Sequence, residues 1–314
     1  MQPPTPDTPT QIGPYRVAGL LGRGGSSPVY QAQDQSGRPV VVRLLSPHLL
    51  ENPDAARRFE RETQALAAAP HPNLLQILDT GQEGSRPYLR PYLVTEFVPG
   101  AKSLAHVMRE RRLSVSEALS VMKGICRGIA HAHQHGVLHH HVTPHAILVS
   151  PDLSAVKLTE FGFSRVESLG LTSTLSTGAI TLGAFNYLAP EQLERGSSPA
   201  DHRADIYGVG AVFNEMLTGK PPGGKFTLPS TANSQLLPET DVIVLKCLAR
   251  NPAERYATAL ELVADLGRLE ETQRVRLLSE IQQIRKASPG RGLVVAGVVL
   301  LLVVLVLAGY LLAR

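Results

Sequence analysis

The hydrophobic periodicity of this chain changes once, near residue 100, and that change sets a two-part architecture. From Tyr15 to about Val98, short β-branched segments (YRVAGLL, PVYQAQD, PVVVRLL, LLQILDTG and YLVTEF) are separated by polar turns. One helical stretch, DAARRFERETQALAAA, interrupts them. From Ser103 to about Arg268 apolar residues recur at helical spacing, in LSVSEALSVMKGICRGIAHAHQHG, ADIYGVGAVFNEMLTG, DVIVLKCLAR and ATALELVADLGRL. The expectation is an α+β bilobal fold, with a small strand-rich lobe over 15–98 and a larger helical lobe over 99–270. A chain of 314 residues with 43% hydrophobic content has ample apolar surface for such a core.

The two ends differ from this body and from each other. Residues 1–14 open with MQPPTPDTPTQ, rich in Pro and Thr with no charged n-region before an apolar run, which predicts a disordered tail and no signal peptide. Leu293 to Leu312 is an uncharged run of 20 residues. At 1.5 Å per residue that run crosses a ~30 Å hydrocarbon layer as a single helix. Arg285, Lys286 and Arg291 precede it and only Arg314 follows, so the positive-inside bias puts the large N-terminal part in the cytoplasm, anchored to the inner membrane. Between body and anchor, 271–292 reads as a juxtamembrane helix and linker, with Leu277, Ile281 and Ile284 at i, i+4, i+7 spacing before the Ser288, Pro289, Gly290 break.

A net charge of +4, spread along the chain, does not point to nucleic acid as a partner. Cys126 and Cys247 both lie in apolar helical stretches, as buried thiols in a reduced compartment do. The tandem duplication RPYLRPYL over 86–93 falls between the fourth and fifth predicted strands and reads as a lengthened hairpin turn.

Chemistry enters with LGRGGSSPVY, where Gly22, Gly24 and Gly25 form a turn between two strands and Val29 begins the second. Such a turn folds over nucleotide phosphates and offers them backbone N–H groups. Behind it come, in order, VVVRLL, Glu62 in a helix, HPNLL, YLVTEFVPG with Glu96, GVLHHHVTPHAIL, VKLTEFGFSR, YLAPEQL, DIYGVG and LARNPAERY. This ordered series resembles the eukaryotic-like Ser/Thr protein kinases of bacteria, over about Tyr15 to Leu269. The resemblance implies the bilobal kinase fold, in which an active member uses a strand Lys on the phosphates, an Asp base, and an Asn and a second Asp on Mg²⁺.

At each of those positions this chain carries something else. The strand Lys falls on Arg43, which keeps the charge in a bulkier, forked form and can pair with Glu62. The HRD-type triplet reads His139, His140, His141, so the base position is an imidazole. The catalytic-loop Lys falls on Thr143 and the metal-binding Asn on Ala146, which offers no ligand. The DFG-type Asp is Glu160, one methylene longer where Mg²⁺ wants near-ideal octahedral geometry. Ser27 replaces the third glycine of the loop and Pro28 lacks an N–H. Ala184 stands where the family places a substrate-facing Thr.

Positions that the resemblance assigns to the scaffold are kept: His139, Gly162, Asp205, and Glu191 with its expected partner Arg255. Removing one transition-state stabiliser commonly costs 10²-fold or more, and here Arg43, His141, Ala146 and Glu160 depart together. The resulting expectation is a membrane-anchored cytoplasmic pseudokinase, a signalling scaffold or regulator with impaired or absent phosphotransfer. Its expected partners are other proteins, an active kinase among them, the lipid bilayer through 293–312, and a second copy; no cofactor is expected beyond weak ATP with Mg²⁺. The alternative is a divergent active Ser/Thr kinase with His141 as base and Glu160 as sole metal ligand.

Three weaker features complete the reading. His131, His133, His135, His139, His140, His141 and His145 crowd one segment, a pattern that can bind Zn²⁺ or Ni²⁺ but also fits separate structural roles. Ser164, Ser168, Thr172, Ser173, Thr174, Ser176, Thr177 and Thr181 populate the activation segment as phosphorylation candidates. The short span GGKFTLPSTANSQLLPET predicts an absent or reduced docking helix.

Overall fold

A computed structural model describes residues 9–24, 27–45, 53–85, 89–161, 182–194, 200–223 and 226–287. The apolar run 293–312, Gly25, Gly162 and the activation-segment hydroxyls lie outside the described residues. Among the described residues no helix is long and apolar enough to cross a membrane.

The small lobe is a six-stranded antiparallel sheet in the order β1-β2-β3-β4-β6-β5. Its strands are β1 (Gln11–Ile12), β2 (Tyr15–Gly24), β3 (Ser27–Gln33), β4 (Pro39–Leu44), β5 (Ile77–Glu83) and β6 (Arg90–Glu96). On β4 the residues alternate, with Val40, Val42 and Leu44 buried against Ile12, Tyr15, Tyr30 and Tyr92. Period-two geometry then places Arg43 on the opposite face of the sheet. Helix α1 (Pro53–Ala68) buries Phe59, Thr63 and Leu66, one stripe at i, i+4, i+7 spacing that leaves Glu62 beside it.

The large lobe holds a three-stranded sheet, β7 (Lys102–Ser103), β8 (Ile147–Val149) and β9 (Val156–Leu158), and helices α2 (Leu104–Glu110) to α8 (Ala259–Ala287). Between those two lie α3 (Val115–Gln134), α4 (Pro190–Leu193), α5 (Arg203–Thr218), α6 (Pro229–Ala232) and α7 (Pro238–Cys247). Ser114 and Glu117 form a capping box that fixes the start of α3. Met122, Ile125 and Ile129 of α3 pack with Ile206, Val209 and Phe213 of α5, all fully buried. Gly210 lets α5 approach α7, since a Cβ there would overlap the side chain of Cys247. Both cysteines are free and buried, and burial pushes both thiols well above their ordinary range.

Two details depart from the sequence expectations. The tail expected over 1–14 contains β1, whose two residues pair with Tyr15 and Arg16 and whose Ile12 is fully buried. The second RPYL copy is no turn: Arg90 to Leu93 opens β6, and Tyr92 packs edge-on against Tyr15 at 6.1 Å between ring centres. The helix expected from 271 continues α8, which runs unbroken from 259 to 287, and the expected break at 288–290 lies outside the described residues. The short span expected to hold an absent or reduced helix carries the four-residue α6.

A buried ion pair locks the base of the large lobe. Arg255 Nη1 and Nη2 donate to the two carboxylate oxygens of Glu191 at 2.6 and 2.8 Å, and its other N–H groups reach the carbonyls of Ala249, Arg203 and Arg250. The Arg255 side chain is 0% exposed. Removing one partner strands the other, at about 3–5 kcal/mol. Arg255→Ala should therefore lower the melting temperature by about 10 °C in a scanning calorimeter, and a shift within 2 °C of wild type would contradict the structural role.

Candidate functional site

The cleft is built where the Arg43 face of β4 meets the turn after β9. Glu160 lies two residues past β9 with φ +71, a left-handed backbone that costs a non-glycine residue on the order of 1 kcal/mol. In that conformation its Oε1 accepts from Arg43 Nη2 at 2.7 Å, with the two side chains 17% and 28% exposed. Burial alone would push the Glu160 carboxyl up. The Arg43 guanidinium, with help from His139 and His141, holds it below the ordinary carboxylate range instead.

The loop facing this pair is held from below by α5. Asp205, buried in the first turn of α5, accepts from the backbone N–H of His139 at 2.8 Å and of His140 at 2.6 Å, and from His133 Nε2 at 2.8 Å. Burial works against its ionisation, but these donors, His133 foremost, keep its carboxyl below the usual range. His140 adopts φ +64, and its carbonyl accepts from Gln192 Nε2 at 2.8 Å. His139 Nε2 meets the carbonyl of Thr159 at 2.9 Å, so that nitrogen carries the proton. Burial pushes the His139 ring toward neutrality, and it lies 4.5 Å from the Phe161 ring. Asp205 thus holds the loop backbone, and His139 ties the loop to the residue before Glu160.

Of the other sequence-derived positions, His141 is partly exposed beside Glu160, close enough for its charge to favour the ionised carboxyl. Thr143 is buried; its carbonyl accepts from the N–H of Ala146 at 3.0 Å. Ala146 is 0% exposed and presents a methyl group. Gly22 pairs with Val29, and Val29 with Arg43, so the glycine strand runs in register with Arg43, one strand removed from β4 in the same sheet. Glu96 ends β6. Its side chain accepts from Lys157 Nζ and from the Gln76 N–H, both at 2.8 Å, joining the end of β6 to β9.

The histidines have separate partners. His131 bonds the carbonyl of Ala69 and stacks on His71 at 4.6 Å, His135 bonds the carbonyl of His131, and His133 bonds Asp205. Among the described residues no group of three or more His, Cys, Asp or Glu is arranged to hold a metal. A pair of nucleotide-bound Mg²⁺ ions needs oxygen ligands. Ala146 supplies none, and the one carboxylate of the cleft turn is paired with a guanidinium, so the residues present do not fit that group.

The Arg43–Glu160 pair was not foreseen from sequence, which offered Arg43 only Glu62. The depressed Glu160 carboxyl means that the pair stabilises the fold above the ordinary Glu range near pH 4.3, and that this contribution fades as pH falls through the lowered value. Glu160→Gln should therefore cost about 1–2 kcal/mol in denaturant unfolding at pH 7, with the deficit shrinking as pH falls below the ordinary Glu range. A deficit independent of pH would contradict the ion pair.

A model of the protein kinase domain matches residues 15–285. The chain is 36% identical over 274 residues to the serine/threonine-protein kinase PknB of Mycolicibacterium smegmatis, covering 82% of this chain and 43% of that relative. To PknB of Mycobacterium tuberculosis it is 34% identical over 307 residues, covering 91% and 48%. The chain therefore spans about half the length of the curated relatives it matches. Among solved structures it is similar to the Mycobacterium tuberculosis PknI kinase domain, at TM-score 0.66 and 23% identity, covering 82% of this chain and 97% of the other. That likeness speaks to the fold alone. With its bilobal architecture and the matched domain, the chain belongs to the protein kinase domain family, alongside bacterial relatives named serine/threonine-protein kinases.

Proposed function

We propose that this protein works as a membrane-tethered regulator with a protein-kinase fold, presenting surfaces to other proteins in place of transferring phosphate. The observation that carries the reading is the 2.7 Å ion pair between Arg43 and Glu160, which joins the two positions that an active relative turns toward phosphate and metal. Around it, the base position is His141 and the amide position is the buried Ala146. The scaffold bonds of Asp205, Glu191 and Arg255 support the same reading, since they keep the loop in shape while its reacting groups have changed.

The names of the relatives favour the second reading, an active Ser/Thr kinase, over an inactive one. A name carries no residue, however, and the groups of this cleft weigh the other way. Incubating the full chain in detergent with radiolabelled ATP and Mg²⁺ or Mn²⁺ separates the two. Transfer should stay at background and be unchanged by Glu160→Ala; transfer that Glu160→Ala abolishes would establish the active kinase.

Membrane tethering rests on the uncharged run 293–312 with Arg285, Lys286 and Arg291 before it. The full chain should remain in the membrane pellet after alkaline carbonate extraction, whereas a chain ending at Ala287 should be released. Release of both would end that part of the proposal.

A further inference from the structure

The large lobe contains a cavity of about 310 Å³ lined in part by the turn that follows His139, His140 and His141. It is lined by Pro144 and His145 of that turn, by Tyr187 and Glu215, and by two exposed arginines, Arg109 in the last turn of α2 and Arg112 just after it. α5 links it to the loop clamp: Asp205 holds the loop near one end of the helix, and Glu215 lines the cavity near the other.

The charges of the cavity are unequal. Glu215 accepts a short hydrogen bond from the Tyr187 hydroxyl, and His145 lies close enough for its charge to act on the carboxyl. Burial, opposed by these two, pushes Glu215 above the ordinary carboxylate range, toward its neutral form. Arg111 is committed to Glu117 through two bonds at 2.8 and 3.0 Å. Arg109 and Arg112, among the described residues, have no carboxylate partner. The Arg112 guanidinium lies against Gly219, the left-handed cap of α5 at φ +76, where any side chain would overlap it. Two unpaired guanidinium groups therefore overhang a cavity whose own carboxylate is already engaged.

We infer that this cavity is a docking site for a phosphorylated Ser or Thr side chain of a partner protein. A phosphate ester carries about −1.5 to −2 charge near neutral pH and three acceptor oxygens. Two guanidinium forks match that charge and donor count, while a single carboxylate would leave one of them unanswered. The volume admits one such side chain together with a few water molecules. The inference deepens the regulator reading, on which it rests, by giving the partner's chemistry.

The test uses the full chain in detergent and a fluorescein-labelled octapeptide with one central phosphothreonine, followed by anisotropy at 0.1 M salt. Controls are the unphosphorylated peptide and one with arginine in place of the phosphothreonine. The phosphopeptide should bind at least tenfold more tightly than either. Arg109→Gln with Arg112→Gln, two exposed changes that leave the core untouched, should remove that preference, and Ala105→Phe should block binding by filling the cavity while keeping its charge. Equal binding of all three peptides, preference for the arginine peptide, or an undiminished preference in the double variant would overturn the site. Anisotropy registers no phosphotransfer, so its failure leaves the cleft reading to its own assay.

Discussion

The carboxylate of Asp205 is the fixed point from which the functional face of this molecule is hung. It is buried in the first turn of α5 and accepts from the N–H groups of both His139 and His140, so it can hold His140 in a left-handed backbone that isolated chains avoid. Gln192 closes the other side of the same residue through its carbonyl. His139, its ring bonded to the Thr159 carbonyl, then carries the constraint to the residue before Glu160. The path from a helix N-terminus to the cleft turn runs through bonds that are charge-assisted or fully buried, the kind whose loss is felt most.

What that scaffold presents is a closed ion pair where nucleotide chemistry would need open ligands. Arg43 reaches the cleft because β4 alternates, and Glu160 reaches it because the turn after β9 is left-handed. Each is a charged group partly removed from water, and each relieves the other's desolvation. A metal ion arriving at Glu160 would have to displace a guanidinium already in bonding contact, with no help from Ala146. The account of a regulator in place of a transferase rests on that competition.

Much of this was legible in the sequence because it is local or patterned. PVVVRLL read as a strand on which the resemblance put Arg43 at the lysine position, and the ordered landmarks offered Glu191 its partner Arg255. What stayed hidden depends on contacts between distant residues. The partnership of Arg43 with Glu160 spans 117 positions, and that of Glu96 with Lys157 spans 61. β1 is two residues long, below what periodicity can reveal, and the second RPYL copy reads as a turn until Tyr92 is seen against Tyr15. The cavity lined by Arg109 and Arg112 draws on four separate segments, and only the fold brings them together.

The most direct measurement of the central claim is a crystal structure grown with a non-hydrolysable ATP analogue and excess Mg²⁺. The account predicts that Arg43 and Glu160 remain within hydrogen-bonding distance and that no metal is coordinated between Glu160 and Ala146. An ordered triphosphate with two fully coordinated Mg²⁺ ions and Arg43 drawn away from Glu160 would contradict it.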